Sequence, residues 1–345
     1  MGRMRLAITG GTGSLGNALI HALAEDPDIE RLVSVSRDEV KAGELAERHA
    51  GLSALRCILA DVRDRERLEQ AFQGCDAVIH AAALKRVEQS TYSPSELIKT
   101  NVLGTMNVIA AATAVGVGKV LVVSSDKAVE PVNLYGMTKA VAEGYAVQAN
   151  SYTYPRGTRV ACVRYGNVLG SRGSVVHVWR AQLRCGASMT ITDLGMTRFI
   201  LTLSEAAQFC LTALQDMEGG EVFVPQLPAV ALCDLAVAVA NQWMDDQADD
   251  VIRGGAKAVF RNGRPRHVIM GLRVGGEKRH EALLSREEPT RVRLRGDRFI
   301  VLPSFHPWRE KWENRGESVT APYTSEAPAR WLGVEELVEM LRGVP

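Results

Sequence analysis

Arg5-Leu6-Ala7-Ile8-Thr9-Gly10-Gly11-Thr12-Gly13-Ser14-Leu15-Gly16 stands near the start of the chain and decides how the rest is read. The apolar run from Arg5 to Thr9 suits a short buried strand, and the apolar residues from Leu15 to Ala24 suit a helix. Between them, glycines at 10, 13 and 16 permit a tight turn and let a ligand approach the backbone closely. A helix N-terminus that follows such a turn presents N–H groups to an anion. The segment therefore predicts a strand, a phosphate-cradling turn and a helix, with Gly10, Thr12, Gly13, Ser14, Leu15 and Gly16 against the pyrophosphate of a dinucleotide.

Outward from that turn the first half alternates strands and helices. Strands are expected at 32–36, 55–59, 77–81, 119–124 and 159–165. Helices are expected at 39–49, 63–72, 94–115 and 135–149. Continuous apolar strands flanked by helices on both sides predict an α/β fold with a doubly wound parallel Rossmann sheet. After about Gly170, Gly, Pro and Arg become more frequent and the elements shorten. Short strands are expected at 221–224 and 267–271, a surface excursion at 245–255 and a closing amphipathic helix at 330–342. The division expected is 1–170 for the dinucleotide and 171–345 for a smaller C-terminal α/β substrate lobe, partly interleaved with the first.

The 345 residues suffice for a large core. A net charge of +1 gives no global field for nucleic acid or an acidic membrane surface, and no apolar stretch is long enough to span a bilayer. The six cysteines are scattered without a CxxC pair, so reduced core thiols in a cytoplasmic protein are expected, with no metal site.

The end of the second strand bears on the cofactor. Ser36-Arg37-Asp38-Glu39, with Lys41 behind, offers a hydroxyl and two cations to a ribose 2′-phosphate, which favours NADP. Asp38 and Glu39 favour NAD instead, and the two cations could equally pair with these acids. Asp61 and Val62 are expected beside the adenine. The small side chains of Ala81, Ala82 and Ala83 suit close approach of a cofactor to the backbone.

Ser124-Ser125-Asp126-Lys127 follows the apolar run 120–123, with Tyr135 and Lys139 beyond. Tyr135 and Lys139 lie one helical turn apart on one face. A lysine ammonium there lowers a phenol's pKa and reaches the nicotinamide ribose, so the phenolate can take a proton from a substrate hydroxyl as hydride leaves. Asp126 and Lys127 add a second acid–base pair. Placed directly beyond the Ser125 hydroxyl, they form a second proton-transfer station, with Lys127 as the base and Asp126 as the acid.

Together these residues resemble the extended short-chain dehydrogenase/reductases acting on nucleotide sugars, and more closely the inverting UDP-N-acetylglucosamine 4,6-dehydratases of bacterial polysaccharide biosynthesis. The resemblance runs from Ile8 to about Leu341. It rests on His80-Ala81-Ala82-Ala83-Leu84-Lys85, Lys99-Thr100-Asn101, Ser125-Asp126-Lys127, Asn133-Leu134-Tyr135-Gly136, Arg164-Tyr165-Gly166-Asn167-Val168, Gly170-Ser171-Arg172-Gly173-Ser174-Val175, Met196-Thr197-Arg198-Phe199 and 220–225. Retaining hexose 4,6-dehydratases carry Asp-Glu where this chain has Asp126-Lys127.

The resemblance implies catalysis by Ser125, Asp126, Lys127, Tyr135 and Lys139, with Ser125 steadying the C4 oxygen. It implies contact of Asn101 with the cofactor, and binding of a UDP-sugar by Lys85, Asn167, Arg172, Arg198, Arg273 and Glu277. It also implies a homo-oligomer. Two departures stand out. Ser125 replaces a common threonine, and Gly271-Leu272-Arg273-Val274-Gly275-Gly276-Glu277-Lys278 lacks the family's proline and gains a glycine. The rival readings are a nucleotide-sugar 4-epimerase or 4-dehydrogenase, which would leave Asp126 and Lys127 idle, and a non-catalytic NADP-binding module.

Overall fold

The computed structural model describes residues 3–85, 92–246, 260–261, 264–265, 267–273, 276–303, 312 and 314–344. The first half forms β1 (Met4–Thr9), α1 (Ser14–Leu23), β2 (Ile29–Ser36), α2 (Glu39–Arg48), β3 (Leu55–Leu59), α3 (Arg65–Phe72) and β4 (Ala77–His80). It continues through α4 (Pro94–Ile98), a π-helical turn (Lys99–Leu103), α5 (Gly104–Ala114), β5 (Lys119–Val123), α6 (Leu134–Thr153) and β6 (Arg159–Val163). The single helix expected at 94–115 is thus interrupted by one wide turn.

In the second half lie β7 (Asn167–Val168), α7 (Val175–Arg184), β8 (Met189–Ile191), β9 (Thr197–Leu201), α8 (Leu203–Asp216), β10 (Val222–Pro225), β11 (Ala229–Ala231) and α9 (Leu232–Asp246). They are followed by β12 (His267–Ile269), β13 (Val292–Arg295), β14 (Arg298–Val301), β15 (Glu317–Ser318) and α10 (Val334–Arg342). Of the surface excursion expected at 245–255, all beyond Asp246 lies outside the described residues.

Among the described residues, ten strands form one sheet in the order β15-β13-β14-β10-β6-β5-β4-β1-β2-β3. From β3 to β10 every neighbouring pair is parallel. The doubly wound parallel sheet is therefore present. Beyond β10 it gains an antiparallel extension, β14, β13 and β15, from the far end of the chain. The central strands β1, β4, β5 and β6 are apolar on both faces because helices cover both; Leu6, Ala7, Ile8, Val78, Ile79, Val120, Leu121, Val160 and Ala161 are fully buried. Strand order reverses between β1 and β4, and in such sheets the crevice at that reversal receives the ligand.

Two compact units result, both discontinuous in sequence. The first comprises residues 1–165, 204–226 and 283–322, and the second 166–203, 227–282 and 323–345. Residues 204–226 and 283–322, from the half of the sequence beyond residue 170, fold with the first unit. The second unit has its own apolar core, built on Trp179, Leu183, Met189, Ile191, Leu235, Val239, Leu337 and Leu341. No described helix is long and apolar enough to cross a membrane.

Candidate active site

The glycine turn lies where β1 meets β4. Gly10 has φ +72°, a conformation that L side chains rarely adopt, and a Cβ on it would lie 2.8 Å from the Ala82 nitrogen. Gly13 N–H donates to Gly10 O at 2.8 Å, closing the turn. At Gly16 a Cβ would come within 2.4 Å of Gly10 O and 2.5 Å of Gly11 Cα, so only glycine lets α1 start this close to the strand. Gly13 is the N-cap of α1 and no side chain caps it. The Ala81–Ala83 backbone runs beside the turn. This cradle fits a dinucleotide pyrophosphate on steric and electrostatic grounds.

The residues expected at the ribose and adenine are placed with partners of their own. The Ser36 and Thr12 hydroxyls hydrogen-bond at 2.8 Å, tying the end of β2 to the glycine turn. Lys41 pairs with Asp38, and Arg37 stands 3.9 Å from Asp61 with half of its side chain exposed. Arg63 grips Asp61 from two nitrogens, at 3.0 and 2.6 Å, and its bonds hold that carboxyl below its usual range. Val62 is buried against Gly104.

At the end of β5 the chain turns through Ser124 and Ser125 into a short 3₁₀ turn, Asp126–Ala128. Ser125 Oγ donates to Asp126 Oδ1 at 2.8 Å, and Lys127 Nζ donates to the same oxygen at 3.0 Å. Asp126 is wholly buried, whereas the Lys127 side chain keeps 29% of its surface exposed. Hydroxyl, carboxylate and ammonium thus converge on one oxygen, with the lysine reaching toward solvent.

Helix α6 begins immediately beyond. The Asn133 side chain caps it by accepting the Gly136 N–H at 2.9 Å. A Cβ on Gly136 would lie 2.4 Å from Lys127 O, so this glycine seats the helix directly on the 3₁₀ turn. The sequence offered Gly136 only as part of a motif, without this packing role. Tyr135, Lys139 and Glu143 follow at four-residue spacing and are all buried. Lys139 donates to Val123 O at the end of β5, and burial lowers its pKa from 10.5 to about 8. Tyr165, a close neighbour of Tyr135, has its phenol pushed well upward by burial.

Asn101 is buried on the π turn. Its side chain accepts from Leu84 N at 2.8 Å and donates to Leu84 O at 2.9 Å and to the Thr138 hydroxyl at 3.1 Å. The residue expected to touch cofactor thus fastens the segment after β4 to helix α6. Beside it, His80 bridges the Thr9 and Thr105 hydroxyls at 2.6 and 3.0 Å. Thr105 passes its proton to Asn101 O, so His80 Nε2 carries a hydrogen and Nδ1 accepts from Thr9. Burial, helped by the Lys139 charge, drops the pKa of His80 to about 3 and keeps the ring neutral. Sequence reasoning gave His80, Thr9 and Thr105 no role. A histidine at the end of an apolar strand was the available signal. Ser124, also passed over, buries a hydroxyl with no hydrogen-bond partner among the described residues.

Of the six residues expected at the substrate, Lys85 belongs to the first unit, exposed just past β4, and the other five belong to the second. Asn167, on β7, donates to Phe199 O at 3.3 Å. Arg198, on β9, is buried and donates to Thr197 O at 2.7 Å and Arg279 O at 3.0 Å. Glu277 links two of the predicted cations, standing 3.3 Å from Arg198 and 3.9 Å from Arg273. Arg172 is exposed on the loop after β7. Val274 and Gly275 of the altered loop lie outside the described residues.

Residues 6–302 match the family described as polysaccharide biosynthesis protein. The chain is 39% identical to a Campylobacter jejuni protein named UDP-N-acetylglucosamine 4,6-dehydratase (inverting), over 98% of this chain and 97% of that one. It is 38% identical to a Rickettsia typhi protein named UDP-glucose 4-epimerase, over 97% and 94%. The X-ray structure of Pen from Bacillus thuringiensis superposes with a TM-score of 0.87 at 30% identity, covering 100% of this chain and 98% of that one.

Proposed function

Because the chain belongs to the polysaccharide biosynthesis protein family, we propose that it is a nucleotide-sugar 4,6-dehydratase acting on UDP-N-acetylglucosamine with inversion at C5. The observation that carries this reading is the Lys127–Asp126 contact beside Ser125 and at the foot of the Tyr135 helix. An epimerase needs the phenol and its lysine but has no use for a second acid–base pair.

The site's own groups supply the steps. Tyr135, with Lys139 one turn behind it, takes the proton of the C4 hydroxyl, and Ser125 steadies that oxygen. The cofactor, when bound, is the hydride acceptor that is oxidant at C4 and reductant at C6. As an ion pair, Lys127 and Asp126 are one proton transfer away from the reactive form, a neutral amine beside a carboxylic acid. The amine then removes the C5 proton and the acid protonates the departing C6 hydroxyl, which leaves as water. That elimination regenerates ammonium and carboxylate. Reprotonation of C5 from the opposite face, by a solvent-exchanging proton whose delivery returns Tyr135 to its phenolate, completes the inversion.

The cofactor form we propose is NADP, on the strength of Arg37 and its exposed guanidinium near the end of β2. The substrate's diphosphate we assign to Arg172, Arg198 and Arg273, with Asn167, Glu277 and Lys85 around the sugar and base.

Incubation with UDP-N-acetylglucosamine and NADP in deuterated water is expected to give a product lighter by one water and labelled at C5. Lys127→Ala is expected to abolish elimination while leaving cofactor affinity intact. Normal dehydration by that variant would overturn the role given to Lys127. The Rickettsia relatives support a second reading, a UDP-sugar 4-epimerase. Turnover of the sugar with neither water loss nor label would decide for it.

A further inference from the structure

Arg172 sits on the loop between β7 and α7, bracketed by two glycines with positive φ, Gly170 at +68° and Gly173 at +77°. The loop has two backbone hydrogen bonds of its own, Ser171 N–H to Val168 O at 3.2 Å and Ser174 N–H to Ser171 O at 2.9 Å. Its glycines add little restraint, so what packs on Gly170 helps to set where the arginine points. Two contacts hold Gly170. His177, one turn into α7, hydrogen-bonds Gly170 O through Nε2 at 2.9 Å. On the other side Val344 packs against the bare Cα: a Cβ on Gly170 would lie 2.2 Å from a Val344 methyl.

Val344 is itself fixed. Its N–H donates to Leu341 O at 3.0 Å, and Arg180 of α7 donates to its carbonyl at 2.9 Å. Arg180 also donates to Leu341 O at 3.1 Å and to Gln242 at 2.8 Å, and Gln242 of α9 donates to Leu341 O at 3.1 Å. The turn after α10 is thus bolted to α7 and α9. It spends three charge-assisted or buried hydrogen bonds holding one valine against one glycine.

We infer that Val344, held by Arg180, is a positioning residue for the nucleotide-sugar, acting through Gly170 on the loop that carries Arg172. This rests on the reading of Arg172 as a diphosphate ligand. Chemistry at C4 to C6 is not addressed by this contact, so its signature is a weakened KM with kcat preserved.

The test compares Val344→Ala, Arg172→Ala and the double variant, using UDP as the binding probe in titration calorimetry and UDP-N-acetylglucosamine for kinetics. Val344→Ala is expected to raise the UDP Kd and the KM roughly three- to tenfold, with kcat and cofactor affinity unchanged. The double variant is expected to bind UDP no worse than Arg172→Ala alone, because both act through one contact. Val344→Ile, which keeps the packing, is expected to bind as wild type. His177→Ala, which frees the other side of Gly170, is expected to reproduce the KM effect and serves should Val344→Ala not fold. Wild-type UDP affinity in both Val344→Ala and His177→Ala, with Arg172→Ala impaired, would overturn the inference, as would additive losses in the double variant. Wild-type UDP affinity in Arg172→Ala would instead overturn the underlying assignment of Arg172.

Discussion

Lys139 carries the sharpest consequence at the scale of a single residue. Burial lowers its pKa to about 8, and the role given to it needs the cation beside Tyr135. The charged form therefore persists below about pH 8 and is lost above it, so kcat is expected to fall as pH rises through that value. Lys139→Arg, which cannot lose its proton in this range, is expected to be slower but to keep its activity at more alkaline pH. A wild-type profile still rising at pH 9 would sink the assignment. Stability has the opposite sign. The folded state resists protonation of this amine more than the unfolded chain does, so the fold bears a cost of about 3 kcal/mol below pH 8 that is relieved between 8 and 10.5. Lys139→Met is expected to raise the urea midpoint at pH 7, a gain in stability at the expense of activity. These local pairs were legible in the sequence, since four-residue spacing puts Tyr135 and Lys139 on one face and adjacency puts Asp126 beside Lys127. The fate of Ser36 was not, because its partner Thr12 comes from another element.

At the scale of elements, the π turn is the least predictable part of the site. The apolar pattern from 94 to 115 is continuous, and nothing in composition distinguishes a helix of one pitch from a helix with one wide turn. What the extra residue per turn achieves is visible only in three dimensions. It aims Asn101 at both backbone groups of Leu84 and at Thr138, the residue before Lys139. Single wide turns recur at functional sites for this reason. Removing the side chain leaves the half-buried Leu84 groups and the buried Thr138 hydroxyl to find other partners. Asn101→Ala is expected to cost about 1–3 kcal/mol in chemical denaturation. It is also expected to weaken cofactor binding and lower kcat together, since it loosens the segment carrying Ala81–Ala83 and the helix carrying Lys139. Loss of stability with both functional constants intact would reduce Asn101 to a structural clamp.

At the scale of the molecule, the question is how residues 283–322 come to fold with a sheet begun at residue 4. Arg164, at the end of β6, is the buried link. It donates to Glu143 of α6 at 3.1 Å and to Glu288 at 2.9 and 3.0 Å, and a further N–H reaches Leu283 O at 2.9 Å. One guanidinium therefore joins the helix of Tyr135 and Lys139, the central sheet and a segment 124 residues away. No reading of spacing could pair Arg164 with Glu288, whereas each strand of the parallel sheet announced itself locally. The pair also predicts a reversal in pH dependence. Burial pushes the Glu288 carboxyl upward, but the Arg164 charge and its hydrogen bonds more than offset this and hold it below the usual range. In the wild type Glu288 thus contributes stability above the ordinary carboxylate pKa of 4.5, and that stability fades as pH falls through the lowered value. Arg164→Met takes the buried counter-charge from Glu143 and Glu288, leaving Glu288 only the more exposed Arg291 3.7 Å away, at a cost of about 3–5 kcal/mol at neutral pH. The burial of Glu288 is then no longer offset and its folded pKa rises, so in this variant acidification from pH 7 toward 5 is expected to restore stability rather than leave it unchanged. Urea titrations of both proteins across that range measure the two slopes directly. Parallel slopes would mean that Glu288 does not depend on Arg164 for its charge, and that the β10–β14 pairing and apolar packing hold the far segment to the sheet.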